Sequence, residues 1–253
     1  MIIVYFFKAC YNNFGGLMKK KSYVLILLLL ALCLCGCDKK NNKITDALKF
    51  KNEYESLNGK KSSNGKKIKS ITISKKNPIK YSNFDEVVDV IKKGTGIIYL
   101  GFPECPWCRT AIPVLLEAAK DYKIDTIYYI NVTGKRDEYE VKNGKVVIKE
   151  DKNGKEIKGE SGYHKLLKLL DKELDDYVIT DSKGKKYKVG EKRIYVPLII
   201  FVNDGKIVGT HTSTVKSQKS GYDELSDDEY DELNGIYADY IKELVNNYCD
   251  EAC

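Results

Sequence analysis

Arginine is scarce in this chain: of 43 basic residues only Arg109, Arg136 and Arg193 carry a guanidinium. Acidic residues are missing altogether from residues 1–36, where Lys8, Lys19, Lys20 and Lys21 account for more than half of the net charge of +7. The remaining body is nearly balanced. With so few arginines it offers neither the basic footprint nor the forked phosphate and base-edge contacts of a nucleic-acid partner. Long apolar runs are lacking as well. The most apolar stretch, Tyr23–Leu34, is too short to span a bilayer as a stable helix, which excludes a polytopic membrane protein. What is present is 43% apolar and 31% charged residues in a chain of 253, enough for one sizeable globular core.

The apolar stretch follows Met18 and three lysines, the proportions of a signal-peptide core, and residues 1–17 read as an upstream extension. It ends in Leu34-Cys35-Gly36-Cys37, which resembles the lipobox of bacterial lipoproteins. That resemblance implies cleavage of a signal peptide, residues 18–36, and a diacylglyceryl group on Cys37. Two acyl chains on one cysteine meet the requirement for stable anchoring. The body is therefore expected outside the cytoplasm, held to the bacterial cell membrane through lipid. An uncleaved anchor or an ordinary secretion signal is the alternative, and either puts the body on the same side.

Beyond Cys37, residues 37–69 read as the lipidated cysteine, a solvated tether and a short helix over 45–57. One domain is expected over 70–248 and a tail over 249–253. ITIS at 71–74 reads as a strand, Ser82-Asn83 caps a helix, and IIYLGF at 97–102 is a buried strand. A helix opening at Cys105-Pro106-Trp107-Cys108 and a strand at 126–132 complete strand–helix–strand–helix–strand, the grammar of a sheet with crossover helices. Hairpins around KNGK at 142–145 and Ser182-Lys183-Gly184, with a leucine-rich helix after Ser161, fill an enlarged insertion at about 133–190. Two strands joined by Asn203-Asp204-Gly205 follow. The capping box Ser226-x-x-Glu229 then opens a terminal helix.

Of eight cysteines, Cys10, Cys33 and Cys35 leave with the signal and Cys37 carries lipid, so Cys105, Cys108, Cys249 and Cys253 remain. A protein of this size needs no disulfides to hold its core, so two tight pairs suggest chemistry. At the start of a helix, unpaired N–H groups and a partial positive charge favour thiolate. Cys105 is then the attacking sulfur of lower pKa, and Cys108, one turn in, resolves the mixed disulfide. Pro106 suits the first helical turn. Arg109 is expected to add positive potential, and Glu104 to oppose the thiolate. Half a zinc site or a structural disulfide is the bland alternative for this CxxC. Cys249 and Cys253, four apart on a helix, would stand about 5–6 Å apart at Cβ, beyond unstrained disulfide reach. A frayed helix end would let the pair close; otherwise they read as spare thiols or as partners in a metal site with the first pair. His164 and His211 read as structural, and Trp107 as exposed between the cysteines, a substrate contact or a tuner of the disulfide.

Strand–CxxC–helix, then Val196-Pro197, then LIIFVNDGKIV and a terminal helix resembles the thioredoxin superfamily over roughly residues 70–248. The FPECPWCR context is similar to thioredoxin-like lipoproteins of Gram-positive bacteria, some described as bacteriocin transport accessory proteins. The resemblance implies an α/β, thioredoxin-like fold with a central mixed β-sheet flanked by helices. It also implies a cis Pro197 facing the cysteines and a Val196 backbone that pairs with an extended substrate. The chain departs from thioredoxins at Glu104, where they have tryptophan, and at Tyr99, where they bury an aspartate. The expected function is thiol–disulfide oxidoreduction on exported proteins, with no cofactor beyond the Cys105–Cys108 pair and a redox partner that resets it. A metal-binding thiol protein and a non-catalytic accessory module for peptide export are the rival readings.

Overall fold

The computed structural model describes residues 44–246. Cys37, Cys249, Cys253 and the signal segment lie outside the described residues. No helix among the described residues is long and apolar enough to cross a membrane.

The order of elements is α1 (Asp46–Glu55), β1 (Ile79–Tyr81), α2 (Phe84–Lys93), β2 (Gly96–Gly101), α3 (Pro106–Asp121) and β3 (Ile127–Asn131). The insertion adds β4 (Tyr139–Lys142), β5 (Lys145–Ile148), α4 (Ser161–Leu169), β6 (Asp176–Thr180) and β7 (Lys186–Lys192). β8 (Leu198–Asn203), β9 (Lys206–Thr212) and α5 (Asp227–Asn246) close the chain. Five strands form a mixed sheet in the order β1-β3-β2-β8-β9. β1, β3 and β2 run parallel, whereas β8 is antiparallel to β2 and β9 to β8. The fold is thus α/β, with a central mixed sheet flanked by helices.

Alternation along the strands makes two cores, because successive side chains leave opposite faces. Ile97 and Tyr99 of β2, with Ile199 and Phe201 of β8, pack against α1, α3 and α5. Ile98 and Leu100, with Leu198, Ile200 and Val202, pack against α2 and α4. Helix ends follow the local chemistry. Asn83 accepts from the Glu86 N–H at 2.9 Å, and Ser226 and Glu229 cap each other through bonds of 3.0 and 3.2 Å. The β8–β9 turn places Asp204 and Gly205 at φ +46° and +69°, the left-handed pair that suits a two-residue hairpin.

Two expectations are corrected. The compact unit begins at Ile44, not at 70. Phe50 and Tyr54, four apart on α1, are fully buried, while Asp46 accepts from the Tyr81 N–H and Glu53 from the Tyr81 hydroxyl. ITIS forms no strand and pairs with none. The Asn58 amide bonds the Ile71 N–H and carbonyl at 3.1 and 2.8 Å. Glu55 takes the Ile73 N–H at 2.7 Å, and Lys51 reaches the Ile73 carbonyl at 2.9 Å. Side chains from the end of α1 supply what a neighbouring strand would, so Ile71 and Ile73 are buried without a ladder.

The insertion forms two separate two-stranded ribbons, β4–β5 and β6–β7. Lysines line them at Lys142, Lys145, Lys186, Lys188 and Lys192. Asp176 bridges Lys188 and Lys192 at 3.1 and 3.0 Å.

Candidate functional site

β2 ends at Gly101, and Phe102-Pro103-Glu104 turns the chain into α3. Cys105 is the N-cap of that helix, with extended backbone, and its sulfur accepts the Cys108 N–H at 3.3 Å. Pro106 takes the first helical position, where a missing N–H costs nothing. Both cysteines are free thiols: Cys105 is 5% exposed and Cys108 is fully enclosed. The Val196–Pro197 peptide is cis, and the Cys105 thiol donates to the Val196 carbonyl at 3.7 Å. The structure therefore brings Cys105, Pro106, Cys108, Val196 and Pro197 to one place, the N-terminal end of α3 beside the start of β8.

The two sulfurs are electrostatically unlike. The Cys105 thiol sits below its ordinary value, first because the Cys108 thiol donates to it, then through the Cys108 and Trp107 N–H groups and the nearby Arg136 guanidinium. Burial works against that shift and does not cancel it. Cys108 is pushed well up, by burial first and by the neighbouring Cys105 sulfur second.

Arg109 and Trp107 differ from expectation. Arg109 is fully buried, and its guanidinium donates to the carbonyls of Lys69, Tyr54 and Pro103 at 2.6, 3.0 and 2.9 Å and to the Asn58 side chain. It ties α1 and the segment after it to the CPWC loop. The positive potential at Cys105 comes instead from Arg136, which donates to the Ile194 carbonyl at 3.0 Å and which the sequence reading missed. The Glu104 carboxylate is occupied by the Ser63 N–H at 2.7 Å. His164 pairs with Asp137 at 2.8 Å, and His211 bonds the Thr214 carbonyl at 3.2 Å.

Trp107 is half-buried. Gly221 lies so close that a Cβ there would stand 2.8 Å from the Trp107 nitrogen and 2.9 Å from the indole Cδ2. The surrounding segment is pinned by Thr110 donating to the Gly221 carbonyl at 3.4 Å and by Lys69, which bonds the Asp223 carbonyl at 3.1 Å and pairs with Glu224 at 2.8 Å. Across the same face Asn64 donates to the Tyr222 hydroxyl at 3.2 Å. Gly221→Val is expected to lift this segment off the indole. Trp107 is the chain's single tryptophan, so its emission should move to the red and be quenched more readily by iodide. An unchanged spectrum would show that the segment tolerates the side chain without leaving the ring.

On the other flank, a cleft of about 440 Å³ runs beside the loop, lined in part by Phe102, Pro103, Glu104, Thr133, Gly134 and Arg136. No family model matches this chain, and neither a curated protein nor a solved structure matches it.

Proposed function

We propose that this protein is a thiol–disulfide oxidoreductase with a thioredoxin-like arrangement, acting outside the cytoplasm as a lipid-anchored protein through Cys37. One observation carries the reading: a pair of free thiols at a helix N-terminus whose acidities are pulled in opposite directions. The sulfur at the N-cap is the better thiolate and the one at the mouth of the site, so Cys105 attacks a substrate disulfide. Cys108, held as a thiol one turn further in, waits to resolve the mixed disulfide. Val196 and Pro197 form the wall against Cys105, where the backbone of an extended protein substrate docks. Pro106 sets the first turn, and Trp107 anchors the loop against the 213–226 segment. No further cofactor enters, because the electrons pass through the dithiol.

The test equilibrates the protein with glutathione and titrates its two thiols. A single reversible Cys105–Cys108 disulfide is expected, with a potential between about −270 and −120 mV, the span of known dithiol reductases and oxidases. Alkylation of Cys105 should rise with pH about a midpoint below the ~8.5 of a free cysteine. The sign follows from the lowered pKa: the thiolate fraction is already large where an ordinary thiol is still protonated. Failure to form a reversible disulfide, or tight stoichiometric zinc in its place, would overturn the proposal.

A further inference from the structure

Four phenols surround Cys108, and none has yet been given a role. Tyr54 reaches in from α1, Tyr99 from β2, Tyr129 from β3 and Tyr237 from α5, all fully buried in the cluster that holds both cysteines. The Tyr54 and Tyr99 hydroxyls are hydrogen-bonded at 2.7 Å. Tyr99 also stacks on Tyr129, with ring centroids 5.2 Å apart. Space fixes where the Tyr99 hydroxyl sits, since a Cβ on Gly101 would overlap it. The phenol therefore lies under the backbone that enters the CPWC loop, in the buried cluster that holds Cys108, and it favours the thiolate form of that sulfur. Tyr129 and Tyr237 complete the wall with hydroxyls that find no partner. The other groups facing this sulfur are the Phe102 N–H, which favours its thiolate more than Tyr99 does, Cys105 from the loop and Arg136 from the segment after β3.

Resolution makes a demand that this enclosure opposes. The Cys108 lone pair must form a bond to the Cys105 sulfur as the Cys105–substrate S–S bond breaks. Two electrons leave with the substrate sulfur, which takes the proton that Cys108 gives up. The dithiol is oxidised and the substrate disulfide is reduced. Water cannot solvate the Cys108 thiolate on the way, and an unsolvated anion is costly unless a donor meets it.

We propose that the Tyr54–Tyr99 pair supplies the side-chain donor beside the Phe102 N–H: Tyr99 is a catalytic residue whose hydroxyl meets the Cys108 thiolate, and Tyr54 is a positioning residue. Tyr54 donates to the Tyr99 oxygen, which leaves the Tyr99 proton free for sulfur and strengthens it as a donor. The inference rests on the oxidoreductase reading and deepens it at the second half of the reaction.

The test uses the full chain with its six cysteines outside the CPWC segment replaced by serine. Cys105 is loaded with thionitrobenzoate, and release of that coloured thiol by Cys108 is followed across pH. Tyr99→Phe should slow release at neutral pH roughly tenfold, the worth of a hydrogen bond to a charged group. The midpoint of its pH profile should rise by about one unit. Tyr54→Phe should move both in the same direction by less, and Tyr237→Phe, which loses an unbonded hydroxyl, should move neither. An unchanged profile in a folded Tyr99→Phe protein overturns the proposal, and so does an equal shift in Tyr237→Phe. If Tyr99→Phe does not fold, Tyr54→Phe decides by the same criterion. No release from the unsubstituted tyrosine set at any pH, matching a Cys108→Ser control, overturns the oxidoreductase reading itself.

Discussion

Arg109→Met is expected to lower stability by about 3–5 kcal/mol, read as a fall in the urea midpoint at unchanged slope. The size follows from what the guanidinium holds. It is fully buried, and its donors meet three main-chain carbonyls and the Asn58 side chain. A methionine fills the volume and leaves those acceptors unpaired, each costing about 1–3 kcal/mol, offset in part by no longer burying a cation. Burial already draws the guanidinium below its usual pKa. Arg109→Lys should recover less than half of the loss, because an ammonium cannot reach a helix residue, a loop carbonyl and two points on the 58–69 segment at once. A loss under about 1 kcal/mol would mean that the 58–69 segment relaxes freely and is not clamped.

The second large effect is kinetic. Cys105→Ser should reduce thiol–disulfide exchange to the uncatalysed rate, because a hydroxyl at this N-cap stays protonated and cannot displace sulfur. Cys108→Ser should differ in kind. The first attack survives, and the protein accumulates as a mixed disulfide with its substrate, visible as a species of higher mass that reductant reverses. The pair of outcomes separates attacking from resolving sulfur. Trapping through Cys108 in the Cys105→Ser protein at an equal rate would reverse the assignment, against the 5% exposure of one thiol and the complete enclosure of the other.

What the sequence made legible is local. Strand, turn and helix around CPWC can be read because the proline, the apolar run and the helical spacing lie within twenty residues of one another, as do the capping box and the Asp204-Gly205 turn. The missing pieces are those whose partners are far away. Tyr54 meets Tyr99 across 45 residues, and Lys69 meets Glu224 across a still longer gap. Arg109 stands one residue past the second cysteine, so sequence alone lets it face either the sulfurs or the protein interior. One signal was present and went unread. In a chain that meets nearly every demand for a cation with lysine, all three arginines donate to main-chain carbonyls: Arg109 to three, Arg136 to Ile194 and Arg193 to Asp137. Scarcity marked them as clamps. The spacing of Phe50 and Tyr54 announced α1 as a helix, and their full burial is what makes it part of the core.

The lysines of the β4–β5 and β6–β7 ribbons carry a consequence for how copies of this molecule behave when crowded. A two-stranded ribbon has two unpaired edges, and an unpaired edge is a template on which another chain can add a strand. Any strand arriving here must strip water from ammonium groups at Lys142, Lys145, Lys186, Lys188 and Lys192, of which Lys142 is paired with Glu140 and Lys188 and Lys192 with Asp176. The insertion thus enlarges the domain with ribbons on which an added strand would have to desolvate ammonium groups and break their ion pairs.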